Sequence, residues 1–285
     1  MAVLKWEDEW FLAAMTRSSA MHLGRRHALK HALALTTALE LLLLGALAVA
    51  CGPLTAPDSR EVSAAEGSAA ADGYEQRPAT PRGTGRIYLG REIAIPVSHA
   101  AAGWLERPER EEEEKPRLLV EALGLKPDDI VADVGAGTGY YAFRLAGRVP
   151  RGKVLAIDID PGLLAELRAA AARRGVNNVE PVLGAVDDPR LPTGAVDLVL
   201  IVDAYHEFSH PREMMAAIVR ALAPGGRVAL VEYRAEDPDL PIHPLHRMSA
   251  AQARREMEAA GLVLLETRDH LPRQHLMFFG RRPAP

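Results

Sequence analysis

From Ile130 onward the chain alternates short apolar runs with longer runs of helical period. The apolar runs Ile130–Val134, Lys153–Asp158, Val179–Leu183, Val196–Val202 and Gly226–Tyr233 are too short for helices and rich in β-branched residues, so each predicts a strand. Between them, Tyr140–Arg148, Pro161–Arg174 and Arg212–Leu222 predict helices; Gly175 closes the second, and Pro224-Gly225-Gly226 follows the third. Strands alternating with helices predict βαβ units and a parallel sheet covered on both faces. The end of the chain changes style. A helix over Ala250–Ala260 precedes two strand-like runs, Leu262–Thr267 and His275–Gly280, around Leu271-Pro272-Arg273. That hairpin-like ending predicts a sheet mixed at one edge.

Upstream, the stretch from Glu106 to Leu123 reads as helix, interrupted or restarted at Pro116. Residues 52–85 are rich in Ala, Ser, Gly and Pro and show no apolar period, which predicts a flexible tether. Before it comes Arg25-Arg26-His27-Ala28-Leu29-Lys30, then a mostly apolar run that ends Leu47-Ala48-Val49-Ala50-Cys51. A basic head, an apolar run and small residues before a break are the parts of a secretory signal. The run resembles a bacterial lipoprotein signal, in which the cysteine is lipidated, and the paired arginines resemble a twin-arginine export signal. Met21 is the more usual start for either. The alternative is a Leu/Ala-rich helix that packs on the domain or crosses a bilayer, for which roughly 20 residues suffice. The expected organisation is an N-terminal extension with signal or anchor over 1–51, a linker over 52–85, a helical lid over 86–125 and the main domain over 126–285. The expected location is the cell envelope, with membrane attachment through the N-terminal segment or lipidated Cys51; the alternative is a domain held on the cytoplasmic side.

Composition narrows the partners. The 285 residues carry a net charge of −4 and only 5% aromatics, so neither phosphate neutralisation nor a base-stacking platform is supplied, and no nucleic-acid partner is expected. Cys51 is the sole cysteine, which excludes an internal disulfide and a cysteine zinc site.

The candidate chemistry sits in Val131-Ala132-Asp133-Val134-Gly135-Ala136-Gly137-Thr138-Gly139-Tyr140, between the first strand and the first helix. Alternate glycines permit a sharp turn and a close backbone approach to a ligand. The dinucleotide fingerprint Gly-x-Gly-x-x-Gly is not met, because the third glycine comes one residue early and Tyr140 stands where that pattern needs it. A nicotinamide oxidoreductase is therefore disfavoured. The loop, with an acid two residues before its first glycine, resembles motif I of class I S-adenosylmethionine (SAM)-dependent methyltransferases. The segments Gly90-Arg91-Glu92-Ile93 to Arg110, Asp203-Ala204-Tyr205-His206-Glu207 and Leu271-Pro272-Arg273-Gln274-His275 also resemble those of uncharacterised bacterial methyltransferase-like proteins.

That resemblance implies an α/β, Rossmann-like fold with a seven-stranded, mostly parallel sheet, an antiparallel C-terminal hairpin strand and helices on both faces. It implies SAM as cofactor and methyl transfer to a small-molecule acceptor, with a non-catalytic SAM-binding sensor or interaction protein as the alternative. Asp133, Gly135, Gly137 and Gly139 match the loop that holds the methionine part of SAM. Asp158 matches the acid on the ribose diol, although an acid there is also suited to capping the next helix. Ile159 would flank the adenine. Ala185 stands at the usual acid position of the next loop, so Asp187 is the choice for the adenine end.

Ligands sit at the carboxyl ends of strands in such sheets, which puts Asp203 beside the cofactor. His206 is then the candidate general base, with Tyr205 and Glu207 as orienting groups; the alternative is that His206 and Tyr205 only pack. His99, Trp104 and Arg107 are candidates for lining a lid, or Trp104 merely anchors a helix. His206 with His210, and His243 with His246, have close spacings, but Pro211 and Pro244 argue against regular helix at both, and no metal site is expected.

Overall fold

The computed structural model describes residues 73–97, 99 and 102–282. The signal or anchor reading of 1–51 and most of the tether lie outside those residues.

Near-continuous apolar runs make the central strands, because a strand covered on both faces has no solvent side to mark. The strands are β4 (Ile130–Val134), β5 (Lys153–Asp158), β6 (Val179–Leu183), β7 (Val196–Val202), β8 (Leu222–Tyr233), β9 (Leu262–Arg268) and β10 (Gln274–Arg281). They form one sheet in the order β6-β5-β4-β7-β8-β10-β9. The ladders from β6 to β8 are parallel, whereas β10 runs antiparallel to both β8 and β9. Successive residues of each strand alternate between two cores. Val131, Leu198, Leu200, Ala229, Val231, Leu276 and Phe278 enter one; Ala132, Val134, Val199, Ile201, Val228, Leu230, Met277 and Phe279 enter the other.

The helices follow their end signals. Asp160 caps Pro161–Arg174 by accepting from the Gly162 amide at 2.7 Å, and Gly175 ends it with φ +65°. Ser249 caps Ala250–Ala259 through the Gln252 amide at 3.1 Å. Tyr140–Ala146 and Pro211–Ala221 complete the longer crossovers. Pro116 does restart the upstream helix, giving Arg110–Glu113 and Pro116–Ala122. β8 begins at Leu222, four residues before the expected strand, and the ladder with β7 shifts register between Val196 and Leu198 to admit Pro224-Gly225-Gly226.

The larger departure is at the N-terminal side. β1 (Glu75–Gln76), β2 (Gly83–Tyr88) and β3 (Arg91–Ala94) form a three-stranded antiparallel sheet, so the tether expected to run to residue 85 gives way to ordered chain by Glu75. The segment expected as a helical lid, 86–125, accordingly opens with strands and turns helical only at Ala102–Leu105. Buried Tyr74, Tyr88 and Ile93 form the small sheet's core. The Tyr74 hydroxyl donates to Glu213 at 2.6 Å, and Arg91 forms a two-pronged ion pair with fully buried Glu256, Nε at 2.7 Å and Nη2 at 2.9 Å. These contacts fasten the small sheet to the helices Pro211–Ala221 and Ala250–Ala259.

Candidate functional site

Strand order reverses at β4: β5 and β6 lie on one side of it, β7 and β8 on the other. The crevice at such a reversal, at the carboxyl ends of the strands, is where open α/β sheets bind ligands. The glycine loop leaves β4 at that point. The amides of Gly135 and Ala136 both donate to the Ile157 carbonyl at 2.9 Å. Gly135, Gly137 and Gly139 have φ of +81°, +54° and +94°, a region that side chains disfavour. A Cβ on Gly135 would stand 2.7 Å from that of Ala204, and one on Gly137 would meet Leu105 at 3.2 Å. The loop is therefore pressed between the turn after β7 and the segment that precedes Glu106.

Asp158 ends β5 beside this loop. Its Oδ2 accepts the Gly137 amide at 2.8 Å and its Oδ1 accepts the Asp160 amide at 2.9 Å. The helix cap is Asp160, so Asp158 is not needed for that task. Each carboxylate oxygen keeps a second lone pair, which suits a diol. Ile159, next in the chain, is 48% exposed, and Leu183 and Val186 nearby are 42% and 46% exposed. Leu183 is the ladder partner of Asp158. Ile159 and Leu183 follow and end neighbouring strands, Val186 lies on the loop after β6, and such exposed apolar side chains offer a surface for a flat ring; Leu183 and Val186 carry no signal in the sequence. Asp187 is exposed on the same loop.

Two carboxylates lie deeper. Asp133 is 3% exposed and its Oδ2 has no hydrogen-bond partner. Burial, and then the charge of Asp158, push its carboxyl up to about 7. Asp203 follows β7 with φ +48°; its Oδ2 accepts from the Gln274 side-chain amide at 2.6 Å, while Oδ1 is shut off from solvent without a partner. Burial, with Glu114 and Glu232 adding, holds it well above the ordinary carboxyl range. Buried carboxyl oxygens without partners fit a ligand with positive groups, whose charge would draw them toward the ionised form, and SAM carries both an ammonium and a sulfonium. The residues present thus fit that cofactor.

Across the turn Tyr205–Glu207, the three residues expected at the acceptor side separate. Tyr205 is fully buried in the core with Met214, Met215 and Ile218, so it orients nothing at the cleft. His206 is 1% exposed; its Nδ1 lies 2.6 Å from Glu232 Oε2 and its Nε2 lies 3.0 Å from His246 Nδ1. Glu207 Oε1 is 3.6 Å from His206 Nε2 and 3.2 Å from His246 Nδ1. Burial by itself would lower the His206 pKa, but the Glu232 charge, together with Glu207, carries it up to about 10. Glu207 goes the other way, since the two imidazoles outweigh burial and pull it down to about 2.

Of the close histidine pairs of the sequence, His243 and His246 meet edge to face with ring centroids 6.1 Å apart, whereas His206 and His210 take other partners. His210 turns to Arg86 at 2.9 Å, and the His243 Nδ1 accepts the Leu245 amide at 3.2 Å. His206 of one pair meets His246 of the other. The expectation of no metal site weighed only those sequence pairs; the structure brings together His206, Glu207 and His246, with donor atoms all within 4.8 Å of one another.

The segment before β4 lies over the loop. Leu105 faces Gly137, and the Thr138 hydroxyl donates to Glu106. His99 sits 3.0 Å from Glu166 on the helix after β5. Arg107 stacks on Trp104 and donates to buried Glu114 at 2.6 Å, and Glu114 also binds Arg110 at 2.7 Å and the Tyr233 hydroxyl at 2.8 Å. Leu105 and Glu106, neither of them among the expected lid residues, stand against the glycine loop.

Residues 131–226 match the family model of a methyltransferase domain. The chain is 29% identical over 119 residues to a ubiquinone/menaquinone biosynthesis C-methyltransferase of Ectopseudomonas mendocina, covering 41% of this chain and 46% of that one. It is 33% identical over 103 residues to a demethylmenaquinone methyltransferase of Thermus thermophilus, covering 36% and 46%. The alignments thus span about half the length of these curated relatives. A SAM-dependent methyltransferase structure from Aquifex aeolicus superposes with a TM-score of 0.61 at 24% identity, over 65% of this chain and 98% of that chain. The fold is the Rossmann-like class I methyltransferase fold, as expected, and the cofactor that this domain implies is SAM.

Proposed function

We propose that this chain is a SAM-dependent methyltransferase acting on a small-molecule acceptor. The observation that carries the proposal is the joining of Asp158 to Gly137 at the strand-order reversal, in a segment that matches a methyltransferase domain. SAM supplies a methyl group already activated on a sulfonium. The residues of the chain bind and align. Asp158 accepts the ribose hydroxyls, and Ile159, with Leu183 and Val186, covers the adenine. Asp133 and the loop glycines hold the methionine end, and the buried carboxyl of Asp203 faces the positive groups, whose charge favours its ionisation. Asp187, exposed on the loop after β6, makes a polar contact to the adenine edge. His206 and Glu207 stand on the acceptor side, at the carboxyl ends of β7 and β8.

The test is calorimetric titration of SAM into the purified full chain and into Asp158→Ala. Saturable binding that the substitution abolishes is the expected result. A folded chain that does not bind SAM overturns the proposal; binding without turnover across an acceptor screen supports a sensor or interaction role instead.

The same proposal places the protein in the cell envelope, tethered through Cys51. It draws on the apolar run that ends at that cysteine. Metabolic labelling with a fatty acid, lost in Cys51→Ser, is expected; a chain that stays unlabelled and leaves the membrane fraction argues against it.

A further inference from the structure

Three donor atoms from distant parts of the chain converge beside the cleft. His206 Nε2, His246 Nδ1 and Glu207 Oε1 are 3.0, 3.2 and 3.6 Å apart. Donors held 2.0–2.1 Å from one metal ion stand about 3.3–3.4 Å apart in a tetrahedron and about 2.9 Å apart as octahedral neighbours. Two sides of the observed triangle, 3.0 and 3.2 Å, fall within that range and the third, 3.6 Å, lies just beyond it, so a single ion reaches all three donors with sub-ångström adjustments.

The surroundings agree. The bond from His206 Nδ1 to Glu232 fixes the ring and keeps a proton on Nδ1, so an ion entering the triangle displaces the proton of Nε2 and takes up that nitrogen's lone pair. Glu232 is 1% exposed and also accepts the His206 backbone amide at 3.3 Å. A buried carboxylate behind a histidine, on the side away from the ligating nitrogen, is the usual support of a metal-bound imidazole. On the opposite side the site is not sealed, because the His246 and Glu207 side chains keep 13% and 17% of their exposure. The Val97 amide, from the segment after β3, donates to Glu207 Oε1 at 3.2 Å.

We propose that His206, Glu207 and His246 form a binding site for a divalent first-row transition-metal ion, with Glu232 as the positioning residue of His206. Two imidazoles and one carboxylate are a borderline donor set, suited to Zn²⁺, Fe²⁺ or Co²⁺ over the harder Mg²⁺ and Ca²⁺. Three protein ligands leave at least one coordination position free, the arrangement of metal sites that engage small molecules rather than of purely structural ones. The ligands stem from the turn after β7 and the turn after β8, so the ion stands at the edge of the sheet where the acceptor is proposed to bind. The site depends on these four residues alone and stands independently of SAM binding.

The test uses the full chain, stripped with a chelator and titrated with Zn²⁺ against a chromogenic competitor, and with Co²⁺ by visible absorption. One equivalent of metal is expected, with Co²⁺ bands characteristic of nitrogen ligation. Glu207→Gln, close to the native size, and His246→Ala, on a partly exposed turn, are each expected to weaken Zn²⁺ by about 100-fold or more. Glu232→Gln is expected to weaken it by about 10–100-fold while stoichiometry holds. His210→Ala, four residues from His206 but turned to Arg86, is expected to change nothing. Circular dichroism of each variant separates loss of ligand from loss of fold. Failure to bind either ion, or equal affinity in wild type, Glu207→Gln and His246→Ala, overturns the site and leaves a proton shared among His206, Glu207 and His246. Calorimetry with SAM, run beside it, reads the cofactor site separately.

Discussion

Gln274 holds Asp203: its side-chain amide donates to Oδ2 at 2.6 Å, from the first residue of β10 to the residue after β7. The bond pins a non-glycine residue at φ +48° and satisfies one oxygen of a carboxylate whose other oxygen is shut away from water without a partner among the described residues. Gln274→Leu removes the donor and leaves the acceptor. The expected cost is about 1–3 kcal/mol, read as a thermal midpoint lowered by roughly 2–10 °C in the protein without SAM. A midpoint equal to wild type shows that Asp203 finds another donor.

Asp133 makes stability depend on pH. Its ordinary pKa of 3.8 rises to about 7 in the fold, chiefly by burial. The folded state therefore binds the proton more tightly than the unfolded chain. Its contribution is fully present below about pH 4 and declines as pH rises toward about 7. Asp133→Asn, neutral throughout, escapes that decline. Relative to the variant, wild type is expected to lose up to roughly 4 kcal/mol between about pH 4 and pH 8. Parallel denaturant curves at the two pH values check this, and a constant difference between the proteins counts against a raised Asp133.

The parts of this arrangement that were legible in the sequence are those built from contiguous residues. The glycine loop needs a run of backbone conformations that only local composition supplies, and Asp158 stands at a fixed place, the end of the next strand. The alternating cores were legible as apolar runs. What was not legible depends on register and on chain reversal. The antiparallel ladder sets Gln274 opposite Tyr233 and His275 opposite Glu232. That alignment brings Gln274 to Asp203, 71 residues away, and nothing local announces it. His246 reaches His206 from 40 residues on, through a turn too short to have a period. The tether was overextended for a similar reason. A two-residue strand at Glu75–Gln76 has no alternation to detect, and buried Tyr74 is a single aromatic in a Gly- and Pro-rich stretch.

Arg91 tests whether the small sheet is integral to the fold. Its guanidinium meets both oxygens of Glu256 and donates to the His206 carbonyl at 2.9 Å. Arg91→Ala strands a fully buried carboxylate, and a loss of about 3–5 kcal/mol is expected. Arg91→Met combined with Glu256→Leu removes both charges and is expected to recover most of it. If the single substitution is neutral, Glu256 takes up a proton or reaches water, and the anchoring role falls.

The apolar corner of Ile159, Leu183 and Val186 separates binding from folding. Exposed side chains contribute little to stability, so Ile159→Ser is expected to shift unfolding by less than about 0.5 kcal/mol. Covering a half-exposed isoleucine with an adenine ring removes further apolar surface from water, a gain of about 1–1.5 kcal/mol. Losing it weakens SAM by about tenfold. Adenosine, which has the ring but lacks the methionine end, should lose affinity by the same factor. A substitution at the loop, such as Gly137→Ala, is expected to behave differently, since it strains φ +54° and presses on Leu105 in the absence of any ligand. Calorimetry of the two variants against SAM and adenosine, with unfolding curves for each, distinguishes the two effects. If Ile159→Ser binds both ligands as wild type does, the adenine does not lie at this corner and the orientation proposed for the cofactor is wrong.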